Sequence, residues 1–175
     1  MTFGPPTLIA SDVDGTLIDD ENRVSPRTLA VLGAARSANV EFVLATGRPP
    51  RWIAEITDQF DGTDAYVRYA VCANGAILYD AHNDRILASS TLSSDVLAKL
   101  GDLAYQLIPG CGIAAERVGQ SAHDAATAPF VASSGYQHAW LNPDHVEVGD
   151  DEVFAEPAVK PVSYTHLTLP TSDLV

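Results

Sequence analysis

The sequence predicts an α/β fold: a doubly wound parallel sheet, followed by a smaller second α/β domain. Three observations predict it. Short apolar runs alternate with helical patterns from Thr7 to Tyr79. Polar groups gather at the carboxyl ends of those runs. The texture of the chain then changes near Asp84. Strand, helix, strand, helix, strand is the pattern of a parallel sheet. In such sheets ligands bind beyond the carboxyl ends of the strands.

Each element has a local reason. Residues 7–11 (TLIAS) form a short apolar run that ends in acids and a glycine, which reads as a buried strand and a turn. Ser25-Pro26 is a helix start, with Ser as N-cap and Pro at the first helical position. Leu29, Leu32 and Ala35 then recur at helical spacing to about Ala38. Residues 40–45 (VEFVLA) read as a second strand, broken by Thr46-Gly47-Arg48-Pro49-Pro50. Residues 51–60 read as one helix and residues 69–73 (YAVCA) as a third strand. Asn74-Gly75 is a turn dipeptide, and residues 76–79 and 86–88 pair around Asn83-Asp84 as a hairpin. Beyond it, residues 92–107 read as an amphipathic helix and residues 112–118 as a strand. Residues 119–151 show weak periodicity. The domain boundary is expected near Asp84, giving a core over residues 1–84 and a second domain over residues 85–161.

Composition narrows the function. Hydrophobic residues make up 46% of the chain, enough for a core, and the formal net charge is −13. An acidic chain repels phosphate backbones and anionic lipid, which disfavours nucleic acid and membrane surfaces as partners. A small phosphorylated substrate is not disfavoured, because a bound cation reverses the local field. Two cysteines, Cys72 and Cys111, lack any CxxC spacing, so neither a zinc site nor a disulfide framework is indicated. No signal peptide and no membrane-length apolar run is read. The expected setting is cytoplasmic, with both thiols reduced.

The chemistry lies at the strand ends. Asp12 and Asp14 flank Val13 after the first strand, and Gly15 permits a tight turn. A bare Asp-x-Asp is more often an Asx turn with two solvated acids. Asp61-Gly62-Thr63 repeats the letters without a preceding strand and reads as a plain loop. The strand context sets Asp12 and Asp14 apart. A carboxylate can attack phosphorus and form an aspartyl-phosphate. A second can protonate the leaving oxygen and then activate water. Mg²⁺ would offset the repulsion between the anions, with Asp12 and Asp14 as its ligands. Thr46 offers a hydroxyl at the second strand end, and Gly47 lets a backbone N–H approach a phosphoryl oxygen. Arg48 is suited to a substrate anion or to a surface role. Asn74 stands at the third strand end. The histidines His82, His123, His138, His145 and His166 show no metal-pair spacing, and Trp52 and Trp140 read as packing residues.

Taken together, these residues resemble the haloacid dehalogenase superfamily. Asp12, Asp14, Gly15, Thr16 and Leu17 match its first motif, DxDGTL. The apolar strand ending in Thr46 matches its second. Ala45-Thr46-Gly47-Arg48-Pro49, with Asn74-Gly75-Ala76-Ile77, is similar to the Cof-type branch of sugar-phosphate and small-metabolite phosphatases. The resemblance implies a Rossmann-like core with an inserted α/β cap. It implies Asp12 as nucleophile and Mg²⁺ ligand. It implies Asp14 as general acid/base, binding Mg²⁺ through its backbone carbonyl, and Thr46 as phosphoryl holder. A phosphosugar mutase of the same superfamily shares the first motif. A phospho-acceptor signalling domain would carry an Asp after the third strand, where Asn74-Gly75 stands here. A sugar-phosphate-binding module without turnover is the remaining alternative.

The later Lys and the Gly-Asp-x-x-Asn-Asp-like acidic motif of that superfamily do not occur. Gly149-Asp150-Asp151 reads as a solvated loop. Residues 162–171 (VSYTHLTLPT) resemble a translated sequencing-library adapter, so residues 162–175 are expected to stand outside the fold. Core and cap are then both truncated. The expectation for such a chain is an unpaired edge at the first strand, poor stability and little activity.

Overall fold

The structure is a computed structural model, and it describes residues 4–124, 127–136 and 145–164. The chain divides into two compact units. The first comprises residues 1–90 with 118–126, and the second residues 91–117 with 127–175.

In the first unit a five-stranded sheet runs in the order β1-β2-β3-β4-β5. Its strands are β1 (Leu8–Ser11), β2 (Glu41–Ala45), β3 (Tyr69–Cys72), β4 (Ile77–Asp80) and β5 (Arg85–Ser89). The first three are parallel, with Ser11 opposite Leu44 and Ala45 opposite Val71. The last two are antiparallel additions, with Cys72 opposite Ile77. The α/β, Rossmann-like core expected from the sequence is therefore present. The expected boundary at Asp84 falls inside the β4–β5 hairpin, and the unit continues to Ser90 because β5 is bonded to β4.

Helix α1 (Pro26–Ser37) begins as the sequence predicts. The Ser25 Oγ accepts the Thr28 N–H at 3.0 Å, which satisfies one of the orphan donors of the first turn. Helix α1 buries Leu32 on the unit's core, where the β2 residues Phe42 and Leu44 also lie. Period-2 alternation places those two on one sheet face. Phe42 stacks on Phe60 with ring centroids 6.2 Å apart.

Residues 50–60 differ from expectation. In place of one helix there is a 3₁₀ turn (Pro50–Trp52), a single turn α2 (Ala54–Thr57) and a second 3₁₀ turn (Asp58–Phe60). The Ile53 N–H donates to the Pro50 carbonyl and the Ile56 N–H to the Ile53 carbonyl. These i to i−3 bonds tighten the chain where Pro50 and the β-branched Ile53, Ile56 and Thr57 disfavour regular α-helix. The tight path still buries Ile53, Ile56 and Phe60.

Among the described residues β1 pairs only with β2. Its Leu8 is 53% exposed. An edge strand with an exposed leucine is open to further pairing.

The second unit is a four-stranded sheet in the order β8-β7-β6-β9. It consists of β6 (Gly112–Glu116), β7 (Phe130–Ala132), β8 (His145–Glu147) and β9 (Lys160–Tyr164). Helices α3 (Ser94–Leu107) and α4 (Asp150–Val153) contribute Leu97 and Val153 to its core, with Ile113, Ala115, Val131 and Phe154. Two readings are corrected. Asp150 and Asp151 open α4 rather than a loop, and Asp150 accepts the Tyr105 hydroxyl at 2.8 Å. Val162, Ser163 and Tyr164, expected outside the fold, pair with Ala114, Ile113 and Gly112. Backbone pairing asks little of side-chain identity, and the Val-Ser-Tyr alternation suits an open edge of β6. His138, Trp140, His166 and the rest of the adapter-like run lie outside the described residues.

Candidate active site

The parallel register carries the tips of β1, β2 and β3 to one end of the sheet. Asp12 follows Ser11, Thr46 follows Ala45, and Asn74 lies two residues beyond the end of β3 at Cys72. The β1 turn closes on Val13, whose carbonyl accepts the N–H groups of Leu17 at 3.0 Å and Ile18 at 3.2 Å. Val13 is fully buried, which anchors the turn and leaves Asp12 and Asp14 on the exposed side. Gly15 takes φ 71°, the left-handed region that a Cβ disfavours.

The next two strand ends are tied by backbone. The Asn74 N–H donates to the Thr46 carbonyl at 3.1 Å, and the Ala73 N–H donates to the Arg48 carbonyl at 2.9 Å. Ala73 and Asn74 both hold positive φ, 51° and 57°. For alanine this conformation costs roughly 1–2 kcal/mol. The two cross-loop bonds hold it there. A Cβ on residue 47 would stand 2.7 Å from the Asn74 Oδ1, so a side chain there would push the Asn74 amide aside where the two loops meet. Thr46 is only 5% exposed, and its Oγ1 accepts the Arg48 N–H at 3.1 Å. With that lone pair committed, its hydroxyl hydrogen can turn toward a ligand oxygen.

Arg48 is the electrostatic centre. Its Nη2 lies 2.7 Å from Asp14 Oδ1, and its Nε lies 3.1 Å from both carboxylate oxygens. The same guanidinium donates to Glu55 Oε2 at 3.2 Å and to Asn22 Oδ1 at 3.2 Å. Asn22 in turn donates to Glu55 Oε1 at 3.2 Å. The Arg48 pKa is raised, first by its hydrogen bonds to Asp14. Its side chain is 12% exposed, against 59% for Asp14. Arg48, suited by sequence to a substrate anion or to a surface role, donates here to three acceptors of the protein. The fork geometry of a guanidinium suits that role.

The structure thus gathers Asp12, Asp14, Thr46, Gly47, Arg48 and Asn74 at one end of the sheet. Sequence reasoning missed Asn22, Glu55 and Gln59. Gln59 clamps the same loop, donating to the Asn22 carbonyl at 2.8 Å and accepting the Val24 N–H at 2.8 Å. Pro49 and Pro50 break any helical spacing between Arg48 and Glu55, and nothing in the sequence points to Asn22.

A divalent cation can be tested against the donor set. Among the described residues no group of three or more His, Cys, Asp or Glu gathers to hold a metal. The Asp12 carboxylate and the Asp14 carbonyl are hard oxygen donors, which fit Mg²⁺ rather than a thiophilic metal. Mg²⁺ keeps several waters when bound by one or two protein ligands, so this small donor set fits the ion.

Comparison with known proteins places this geometry. A family model described as haloacid dehalogenase-like hydrolase matches residues 9–154. "Putative phosphatase YxeH" of Bacillus subtilis (strain 168) is 33% identical over 100 residues, covering 57% of this chain and 37% of its own length. Pyridoxal phosphate phosphatase YbhA of Escherichia coli (strain K12) is 32% identical over 85 residues, covering 49% of this chain and 30% of its own. The chain therefore spans about a third of the length of these curated relatives. Among solved structures, the subclass IIB sugar phosphatase BT4131 superposes with TM-score 0.63 at 17% identity, over 91% of this chain and 58% of that one. That likeness is one of fold.

Proposed function

Since the chain belongs to the haloacid dehalogenase-like hydrolase family, in the Cof-type branch that its motifs resemble, we propose that it derives from a Mg²⁺-dependent phosphatase. The substrates are sugar phosphates or similar small phosphorylated metabolites. The observation that carries the reading is the convergence of Asp12, Asp14 and Thr46 at one end of the sheet, with Asp14 held by Arg48. Relatives named as phosphatases and the sugar-phosphatase neighbour support the reaction class and the substrate size. A cytoplasmic setting fits two free, buried cysteines. Among the described residues no helix is long and apolar enough to cross a membrane.

Each residue has a step. The Asp12 Oδ attacks phosphorus as the ester P–O bond breaks, leaving an aspartyl-phosphate. Asp14 gives a proton to the departing alkoxide oxygen, which requires its carboxyl to take up that proton and loosen its pair with Arg48 for this step. As carboxylate it then takes a proton from the water that cleaves the acyl phosphate. The Thr46 hydroxyl and the Gly47 N–H hold the phosphoryl oxygens. Arg48 fixes the direction of Asp14. The Asp12 carboxylate and the Asp14 carbonyl would hold Mg²⁺, which when bound would supply charge neutralisation at the phosphoryl group.

The test is phosphate release from a panel of small phosphomonoesters. Wild-type chain with Mg²⁺ is expected to release phosphate at a low rate, and chelation or Asp12→Asn should remove that release. Turnover retained in Asp12→Asn would sink the assignment.

A further inference from the structure

The loop before α1 carries a tie that its own folding does not need. Residues 18–24 leave and rejoin the first unit at a bridge between Ile18 and Val24, both buried. Within the loop, Asp19 Oδ1 accepts the Glu21 and Arg23 N–H groups, each at 2.9 Å. The Asp19 N–H donates to the Arg23 carbonyl and the Asn22 N–H to the Asp19 carbonyl, each at 3.0 Å. These bonds are local and close the turn by themselves. Gln59 adds three more from the second 3₁₀ turn. Its Oε1 accepts the Val24 N–H at 2.8 Å, and its Nε2 donates to the Asn22 carbonyl at 2.8 Å and to the Glu55 carbonyl at 3.0 Å. One amide thus joins the loop to the turn that carries Glu55.

What Gln59 places is Asn22. The Asn22 side chain stands between Arg48 and Glu55: its Oδ1 accepts from Arg48 Nη2 at 3.2 Å, and its Nδ2 donates to Glu55 Oε1 at 3.2 Å. The same Arg48 Nη2 donates to Asp14 Oδ1 at 2.7 Å. A line of bonds therefore runs from Gln59 through Asn22 and Arg48 to Asp14. A guanidinium is planar and its donors form a rigid fork, so an acceptor that fixes one nitrogen fixes the face offered to the carboxylate. We propose that Gln59 is a positioning residue for the acid/base step, setting the direction of the Asp14 carboxyl through Asn22 and Arg48. This role rests on the phosphatase reading, to which it adds a residue with no bond to Asp14 itself.

Two readouts on the full 175-residue chain test it. The first needs no turnover. The Arg48 Nε–H donates to the Asp14 carboxylate, and its hydrogen exchange, followed by NMR, should quicken by about fivefold or more in Gln59→Met. That variant keeps the side-chain length and removes both polar atoms. The second readout is single-turnover phosphorylation of Asp12, with Mg²⁺ present, from two donors. An alkyl phosphate needs a proton on its departing oxygen, whereas an acyl phosphate does not, because its carboxylate leaves unprotonated. Gln59→Met should slow phosphorylation from the alkyl phosphate by about 10-fold, a part of the roughly 10²–10⁴-fold that a positioned acid/base contributes. Phosphorylation from the acyl phosphate should stay within about twofold.

Asn22→Gly should show the same selective loss. Glycine takes the φ of 59° at no steric cost, so the loop keeps its path while the side chain between Arg48 and Glu55 is removed. Adding Gln59→Met to Asn22→Gly should then slow the alkyl phosphate no further, because the two residues act in one line. Equal losses from both donors would mean a general loosening of the site and would overturn the proposal. Unchanged Arg48 exchange in Gln59→Met, or losses that add in the double variant, would overturn it as well. No phosphoryl group on Asp12 of the wild-type chain from either donor would overturn the phosphatase reading, and this proposal with it.

Discussion

Arg48 stands between two roles, and kinetics separates them. As a positioning residue it holds Asp14 through two nitrogens while Glu55 and Asn22 fix the guanidinium. Arg48→Ala is then expected to lower kcat by about 10- to 100-fold at little-changed KM, because misdirecting an acid/base costs part of its 10²–10⁴-fold contribution. Arg48→Lys should not restore kcat, since an ammonium cannot fork onto the carboxylate. A rise in KM at constant kcat would return Arg48 to substrate binding. The motif around Arg48 was legible in the sequence, but its partners were not. They are set by a loop whose Asn22 takes φ 59° and by the irregular turns of residues 50–60, neither of which leaves a periodic trace.

Asp80 gives a second prediction at this scale. It is buried at the end of β4, where Arg68 donates to it at 3.0 Å and the His82 and Asn83 N–H groups at 3.1 and 3.2 Å. These bonds, that of Arg68 first, hold its pKa down at about 2. Unfolded, an aspartate titrates near ~3.9. A depressed carboxylate contributes stability above its unfolded pKa, and that contribution is lost as pH falls through the folded value. Thermal stability should therefore fall between about pH 4 and pH 2 in the wild type. Asp80→Asn should melt lower at pH 7 and show a flatter dependence across that window. Parallel curves for the two proteins would contradict this account of the β4 turn.

At the level of elements, the N-cap of α1 was readable from two letters, Ser25 and Pro26, because capping is a local matter. The bond from the Thr28 N–H to Ser25 Oγ makes it measurable. Ser25→Ala should cost about 1 kcal/mol, seen as a lower midpoint in urea at constant slope. An unchanged midpoint would mean that packing of Leu32 alone holds the helix. β1, β2 and β3 were legible because each is a short apolar run ending at a turn, although β1, expected to be buried, is exposed or half-buried along its length. β7 and β8 were not, since three residues hold no alternation to detect. Their partners, Val131 to Ala115 and Val131 to Val146, come from distant sequence. The end of β9 was misjudged for another reason. Residues 162–164 were judged by origin, whereas an open strand edge selects by backbone pairing.

On the scale of the whole chain, two sources of information met. Apolar runs with acids and Thr46 at their ends gave a parallel sheet and its working end, and the family match over residues 9–154 agrees. What the chain contributes is the end that would carry the nucleophile, on an edge strand paired on one side among the described residues. The central claim is chemical: Asp12 becomes covalently phosphorylated. Single-turnover incubation with Mg²⁺ and a small acyl phosphate, followed by acid quench and peptide mass spectrometry, tests it without requiring fast turnover. The account predicts a phosphoryl group on Asp12, absent in Asp12→Asn. A phosphoryl group on any other residue, or none on Asp12 in folded protein, would contradict it.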